Sequence, residues 1–336
     1  MEIFGSTFDD SMFSEARNRV CVSLTSYSAK LCQPEWFCEN SALDTEDPLE
    51  KLKVYKFRGD LALRQKDYQK ALDAYSSCLQ WTADNNLSIR RDVLEGMSRC
   101  CTKLGHRDRA LDAARLLGKD VSNTSHLTSL LLLKVGIYQH FGAAASTMAS
   151  LQQLCVLLPF NPWHWYRLGQ TCLELLDADT PAAETPRSHQ ECDSSGKWSE
   201  EQQEFDLELE EVHGGRLWLK ACTCFIRTRL LLRILQRQQS SFVLQRSDSA
   251  LQSTNKALQR LNPNEETLQT LTEVMSEDLI PEKMREENQD GESLSGLCVQ
   301  SFSQRWWNKI LLTGPGQRPN PDAPVETVPE DHQEED

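Results

Sequence analysis

Apolar residues recur every three or four positions from residue 48 onward, the spacing that places side chains on one face of an α-helix. Two consecutive stripes are Leu94, Met97, Cys101 and Leu104, then Leu111, Ala114 and Leu116 or Leu117. Gly105 stands between them, and a glycine allows the sharp backbone turn that joins two helices. The pattern therefore predicts a pair of helices with a tight connection.

A different boundary lies at residues 159–169, which read Pro-Phe-Asn-Pro-Trp-His-Trp-Tyr-Arg-Leu-Gly. The segment before it has an apolar face made of Met148, Leu151, Leu154 and Cys155. A proline interrupts the hydrogen bonds of a helix interior and also disfavours helical backbone in the residue before it. We therefore predict one helix that ends at Pro159 and another that begins within three residues.

These helix pairs resemble tetratricopeptide repeats, which are helix-turn-helix units of 34 residues. The residues that match the packing positions of the repeat are Gly59, Ala71, Gly105, Ala110, Gly142, Pro159, Trp165, Leu168 and Gly169. Tyr55, Tyr68, Tyr75 and Cys78 add further matches in the first unit. The resemblance covers residues 51–176, and it implies that the small residues allow close helix contacts while the large ones fill the space beside them.

Two departures from the repeat pattern occur in the first unit. Arg58 stands where the repeat has leucine, and Lys66 with Asp67 replaces the usual glycine at the turn. The second unit is also longer, because the step from Ala71 to Ala110 is 39 residues.

The expected fold class is all-α: a tetratricopeptide-like helical repeat array, a right-handed superhelix of helix pairs, with a disordered insert and tails. Residues 200–211 contain seven acids and no base, and such polar, charged composition is typical of disorder. Five segments are predicted: a partly disordered N-terminal segment (1–47), the repeats (48–176), an acidic disordered insert (177–211), a helical extension that caps the array (212–280) and a mostly disordered tail (281–336) with a short helix near 302–312.

The helix predicted at 214–239 is basic and amphipathic, since no acid occurs between Gly214 and Ser247. Its apolar stripe consists of Leu217, Ala221, Cys224, Thr228, Leu231 and Leu235. Such a helix can complete the last repeat, or it can serve calmodulin-like or membrane-surface partners through the bulky anchors Trp218 and Leu231. Burial of the stripe would favour the capping role.

The N-terminal segment also allows two interpretations. Residues 8–13, Phe-Asp-Asp-Ser-Met-Phe, have the composition of a short acidic and aromatic docking peptide that folds on a partner. The alternative is that the aromatic side chains around Tyr27 to Phe37 pack against the first helix pair.

Composition narrows the function further. The net charge is −14 at pH 7, which argues against broad nucleic-acid binding because that requires a positive face. No secretory signal precedes the first helices, and Lys134 and His140 interrupt the one apolar run, so we expect an intracellular protein, cytoplasmic or nuclear, without a membrane span. The twelve cysteines form no Cys-x-x-Cys pair, which favours reduced, packed thiols over a metal site.

The sequence lacks the motifs of hydrolases, nucleotide-binding enzymes and metalloproteases, so we expect no catalysis, no metal and no cofactor. His164 is interpreted as a partly exposed junction residue and not as a base. What remains is the concave face of the array. The resemblance places eight residues in a partner-binding groove: Lys53, Lys56, Asp60, Glu95, Arg99, Gln139, Tyr166 and Gln170.

This groove carries mixed charge, and Asp60 stands where repeats that hold a partner's terminal carboxylate have asparagine. The sequence therefore favours a non-enzymatic adaptor or scaffold that binds a protein or peptide of another kind. It gives neither the identity of that partner nor the oligomeric state.

Overall fold

The structure, a computed structural model, describes residues 35–83, 85–179, 214–238, 241–280 and 298–313. The first seven helices are α1 (Pro48–Arg64), α2 (Tyr68–Trp81), α3 (Leu87–Lys103), α4 (Arg107–Lys119), α5 (Thr124–His140), α6 (Ala144–Leu157) and α7 (Pro162–Asp179). Those that follow are α8 (Gly214–Gln238), α9 (Ser241–Leu261), α10 (Glu265–Ser276), α11 (Val299–Phe302), a π-helical turn (Ser303–Trp307) and α12 (Asn308–Thr313). The described residues contain no β-strand.

Each of the helices α1 to α7 packs against the next one, and α3 also contacts both α1 and α5. The predicted all-α fold of adjacent helix pairs, arranged as in a repeat, is therefore confirmed. In the last pair, α7 packs most extensively on α8, although residues 180–213 separate the two helices in the chain.

The turns inside the first three pairs share one geometry. Lys66, Gly105 and Gly142 each adopt a left-handed backbone, with φ of 65°, 80° and 69°. In each turn the next residue donates a backbone hydrogen bond of 2.9 Å to the carbonyl five positions earlier, as in the Schellman motif that ends many helices. Lys66 thus takes the conformation that glycine takes in the other two turns.

Side-chain caps fix where several helices begin. Asp47 accepts from the Leu49 amide at 2.9 Å, and Asn123 accepts from the His126 amide at 2.8 Å. These oxygens satisfy amide groups that have no partner within their own helix. Pro48 follows Asp47 in the first turn of α1, where its missing N–H costs nothing.

Tyr75 of α2 lies between α1 and α3. A Cβ atom placed on Gly59 would lie 2.6 Å from the Tyr75 ring, and one placed on Gly96 would lie 2.7 Å from it. The phenol donates a hydrogen bond of 2.8 Å to Asp60. Two glycines on neighbouring helices therefore make room for one buried aromatic ring, and Gly169 has a similar relation to Phe225 of α8.

The described part of the N-terminal segment contacts α1. The Phe37 ring lies 5.5 Å from the Phe57 ring between centroids. Arg58 donates to the carbonyl groups of Phe37 and Glu39, at 2.6 and 2.9 Å. The arginine that departs from the repeat pattern thus ties the preceding turn to α1. Residues 1–34, which include the possible docking peptide, lie outside the described residues.

The described residues form two hydrophobic cores. The smaller is formed by α1 to α5, and the larger extends from α5 to α12. Phe302, Trp306 and Trp307 are buried in the larger core, where Trp306 stacks edge-on against Trp165 at 5.0 Å. The short helix predicted near 302–312 is thus a core element. The predicted disorder of the insert and of the rest of the tail concerns residues almost entirely outside those that the structure describes.

Arg227 of α8 is completely buried in the larger core. Its guanidinium forms a two-pronged ion pair with Asp278 and donates to the Met275 carbonyl at 2.6 Å and to the Pro159 carbonyl at 3.4 Å. It also lies 5.7 Å from the centre of the Trp165 ring. One side chain therefore joins the α6–α7 junction to α8 and to the end of α10.

The apolar stripe of α8 lies mostly in the core. Leu217, Trp218 and Leu231 are at most 2 % exposed, and the Trp218 indole donates to the Leu261 carbonyl at 2.8 Å. Both anchors that a calmodulin-like partner would need lie in the core. The geometry therefore favours the capping role.

The glycine packing generates a matched pair of substitutions. Gly59→Ala should lower the free energy of unfolding by about 1–3 kcal/mol, because the new methyl group collides with the held Tyr75 ring. Gly136→Ala on α5 should raise it by about 0.4–1 kcal/mol, because no described residue lies within 4 Å of its added Cβ atom and alanine favours helix. Urea unfolding of both variants measures the difference. Equal effects would contradict the packing described here.

Candidate interaction surface

The residues predicted to line a groove lie on the first helix of each pair. Lys53, Lys56 and Asp60 lie on α1, Glu95 and Arg99 on α3, Gln139 on α5, and Tyr166 and Gln170 on α7. We call this set the first-helix surface. Their side chains range from half-buried to exposed.

At the α1–α3 end, one lysine contacts two aspartates. The Lys56 amine lies 2.9 Å from Asp60 and 3.7 Å from Asp92 of α3. Burial acts to lower the pKa of Lys56, but the hydrogen bond and charge of Asp60 outweigh it, so the pKa is raised. Burial, followed by the bond to Asp60, raises the pKa of Tyr75, so its phenol stays a donor. This end is a hydrogen-bonded cluster of one lysine, two aspartates and one neutral phenol.

Further along, the charges pair within one helix. Arg99 contacts Glu95 at 2.6 Å one turn away on α3, and Lys53 contacts Glu50 at 2.7 Å on α1. Such exposed pairs contribute little to stability, because water and salt screen the attraction between the charges. Glu95 and Arg99 can therefore replace their mutual contact with contacts to charged groups of a partner.

At the α5–α7 end, Gln139 accepts a hydrogen bond of 2.5 Å from Arg167. Burial lowers the pKa of Arg167. The Tyr166 ring packs edge-on against Phe225, 6.1 Å between centroids, while Gln170 is exposed. The structure thus joins α1 to α3 and α5 to α7 through polar side chains, and no described hydrogen bond or ion pair links Arg99 with Gln139.

Sequence reasoning missed the apolar centre of this surface. Leu132 is 37 % exposed, and Gly136, four residues later on the same face of α5, presents bare backbone. Gln139 completes that face, since residues four and seven apart are neighbours on a helix. The run of leucines at 130–133 hid this feature, because periodicity cannot say which member of an apolar run faces outward.

His164 of α7 differs from expectation. It is only 6 % exposed, so the interpretation as a partly exposed junction residue is wrong. Neither ring nitrogen has a hydrogen-bond partner within the described part of the chain. Burial, and then the charge of Arg167, lower its pKa to about 4. His164 therefore lies in the core as a neutral group near pH 7.

Other chemistry is sparse in the regions that the structure describes. They hold no group of three or more side chains able to bind a metal ion. Burial raises the pKa of the Cys78 and Cys100 thiols to about 11, which keeps them protonated and unreactive. None of the described helices is long and apolar enough to cross a membrane.

The pKa of His164 predicts a dependence of stability on pH. The unfolded state binds a proton near pH 6.5 and the folded state only near pH 4, so stability is lost as the pH falls between these values. From pH 7 to 4.5 the loss attributable to this ring should be about 2–3 kcal/mol. This loss of stability should disappear in His164→Leu. It should persist in His140→Leu, the control, because His140 is exposed.

Urea unfolding of the parent and of both variants at pH 7 and 4.5 measures the loss of stability in each protein. A parallel loss in the parent and in His164→Leu would contradict the buried, neutral state of His164.

Most of the chain is similar to other proteins. A family model described as "Family of unknown function (DUF5588)" matches residues 2–204 and 194–310. The chain is 34% identical over 358 residues to "Uncharacterized protein C8orf76" of Homo sapiens, an alignment that covers 92% of this chain and 93% of the human one. It is 32% identical over 360 residues to the homolog of Rattus norvegicus, with the same coverage. The chain therefore belongs to the family of unknown function DUF5588.

Proposed function

We propose that this protein is a non-enzymatic interaction adaptor that binds a peptide or a helix of a partner protein on its first-helix surface. The observation that carries the proposal is the face of α5, where exposed Leu132 and bare Gly136 lie beside Gln139. A mid-helix glycine costs stability, and no described residue lies within 4 Å of a Cβ atom placed on Gly136. A partner's backbone can approach closely there.

The surrounding charges suit recognition more than strong binding. Lys56, Asp60 and Asp92 satisfy one another, and Arg99 is paired with Glu95. Exposed charges of this kind mainly influence association rates and specificity. Affinity would come from the apolar centre at Leu132 and from Tyr166 at the α7 edge, because aromatic and apolar anchors supply most binding energy.

The regulatory alternative, release of α8 to a calmodulin-like or membrane-surface partner, has less support. It requires the withdrawal of Trp218, Leu231 and the ion-paired Arg227 from the core. Full exposure of two large apolar side chains alone costs about 3–6 kcal/mol. The lack of enzyme motifs in the sequence supports the non-enzymatic part of the proposal.

A charge-matched pair of double variants tests the surface. Leu132→Asp with Arg99→Glu should remove the principal partner in a quantitative capture from cell extract with the full chain. The control, Leu49→Asp with Arg115→Glu, changes an exposed leucine and an ion-paired arginine elsewhere and should retain it. Exposed substitutions usually alter stability by less than about 0.5 kcal/mol, so both double variants should unfold within about 1 kcal/mol of the parent.

The contrary result is also informative. If the partner survives the first double variant but is lost when residues 1–47 are deleted, binding belongs to the aromatic N-terminal segment. The array would then be a support only.

A further inference from the structure

Three aromatic rings form a patch beside α1, where the described part of the chain begins. The Trp36 ring lies 6.3 Å from the Phe57 ring and 6.0 Å from the Phe37 ring between centroids. Trp36 is 36 % exposed and Phe57 is 40 % exposed, and none of the three rings belongs to either hydrophobic core. We call these three rings the aromatic patch.

Two cations flank the aromatic patch along α1. Lys53 is four residues before Phe57 and Arg64 is seven residues after it, so the three side chains share one face of the helix. Lys53 is 51 % exposed and pairs with Glu50, three residues away on the same helix. Arg64 is exposed and forms no ion pair among the described residues. This face therefore suits an aromatic side chain that has an acid on each side of it.

The beginning of the chain has this composition. Residues 1–16 contain four acids and no lysine or arginine. Asp9 precedes Phe13 by four residues, and Glu15 follows it by two. These three side chains would lie on one side of an extended chain, because alternate residues of such a chain point the same way.

The spacing along the two segments also agrees. In an extended chain Glu15 would lie about 7 Å and Asp9 about 13 Å from Phe13. Along a helix Lys53 lies about 6 Å and Arg64 about 10 Å from Phe57, and the long arginine side chain can bridge the remaining difference. Acids and cations therefore meet when the extended segment runs antiparallel to α1.

The connection within the chain favours this segment over a separate protein. About twenty residues separate Phe13 from Trp36, and so many residues can span up to about 65 Å. That length is ample for a return to α1. A tether of this kind gives an effective concentration on the order of 1 mM, so a segment with a Kd of about 100 µM would occupy the patch about nine-tenths of the time.

We propose that residues 9–15 dock on the aromatic patch of their own chain, antiparallel to α1. Phe13 packs against Trp36 and Phe57, Glu15 contacts Lys53, and Asp9 contacts Arg64.

The docked segment covers one end of the first-helix surface, because Lys53 belongs to that surface. Asp60 lies on the same face of α1, but its carboxylate is already bound by Lys56 and Tyr75, which reduces its repulsion of the incoming acids. A partner that extends to α1 must displace the segment. This last consequence alone rests on the proposed function.

Fluorescence polarisation with a labelled peptide of residues 1–16 tests the docking without any partner present. The receiving protein is the full-length variant Phe8→Ser/Phe13→Ser, whose own segment lacks the aromatic anchors. We expect saturable binding to this variant. Binding to the parent should be about tenfold weaker, because the parent's own segment occupies the patch.

Further substitutions in that double variant locate the site. Phe57→Asp should weaken peptide binding at least tenfold, because it removes a ring of the patch and adds a repelling charge. Trp81→Asp is the matched control, since Trp81 is also 40 % exposed but lies at the end of α2. It should bind the peptide within twofold of the double variant.

A pair of charge reversals decides the test even if Phe57→Asp disturbs the packing of Phe37. Lys53→Glu/Arg64→Glu should weaken binding at least threefold. Lys103→Glu/Lys119→Glu, which reverses two exposed cations at the ends of α3 and α4, should leave it within twofold.

Three results would overturn the proposal: no saturable binding to the double variant, equal binding to the parent, or equal loss in a substitution and its control. Light scattering identifies a further contrary outcome. The parent should be no larger than Phe8→Ser/Phe13→Ser, whereas a dimer of the parent that this variant loses would assign the patch to the segment of a second copy.

Discussion

The second half of the protein depends on one buried cation, the guanidinium of Arg227. Removal of such a group from water costs several kcal/mol, which its attraction to a partner offsets only when its donors are well satisfied. Here Asp278, the Met275 carbonyl and the Pro159 carbonyl accept from its two terminal nitrogens, whereas its Nε atom has no hydrogen-bond partner among the described residues. The rings of Phe160 and Trp165 lie 5.6 and 5.7 Å from the guanidinium. The acceptors come from segments 48 to 68 residues away in the chain, so the bonds form only when these segments are assembled.

The first-helix surface relies on this assembly. Tyr166 at the edge of the first-helix surface rests on Phe225, which is two residues before Arg227 on α8. An open cleft also depends on it, because Leu235 comes from the far end of the same helix and Trp163 from the junction whose Pro159 carbonyl Arg227 contacts. The position of α8 against α7 therefore determines the shape of each surface.

The local pattern of apolar residues predicts much of the fold. Stripes at three- and four-residue spacing predicted the helix pairs, and the stripe from Leu217 to Leu235 predicted the apolar face of α8. The turn at Lys66 was also predicted without a glycine, because its position relative to the repeat was clear. These features depend on residues within one or two helical turns of each other, which periodicity reports directly.

Features that depend on distant contacts were not predicted. Arg227 looks like any other base on an amphipathic helix until Asp278 is placed beside it. The tryptophans at 306 and 307 form a short apolar island in a polar tail, and nothing near them indicates that they fill the core beside Trp165. Likewise, the burial of His164 and the exposure of Leu132 follow from how helices pack and not from their own periodicity.

Hydrogen exchange of the full-length Asp278→Asn variant tests the central role of Arg227 most directly, with Asp177→Asn, which removes the exposed contact to Arg260, as the control. Loss of the buried charge partner should cost about 3–5 kcal/mol and speed exchange together in α7, α8, α10 and residues 298–313. The control should change stability by less than about 1 kcal/mol. Faster exchange confined to α10, or equal effects of the two variants, would contradict a core that is held together at Arg227.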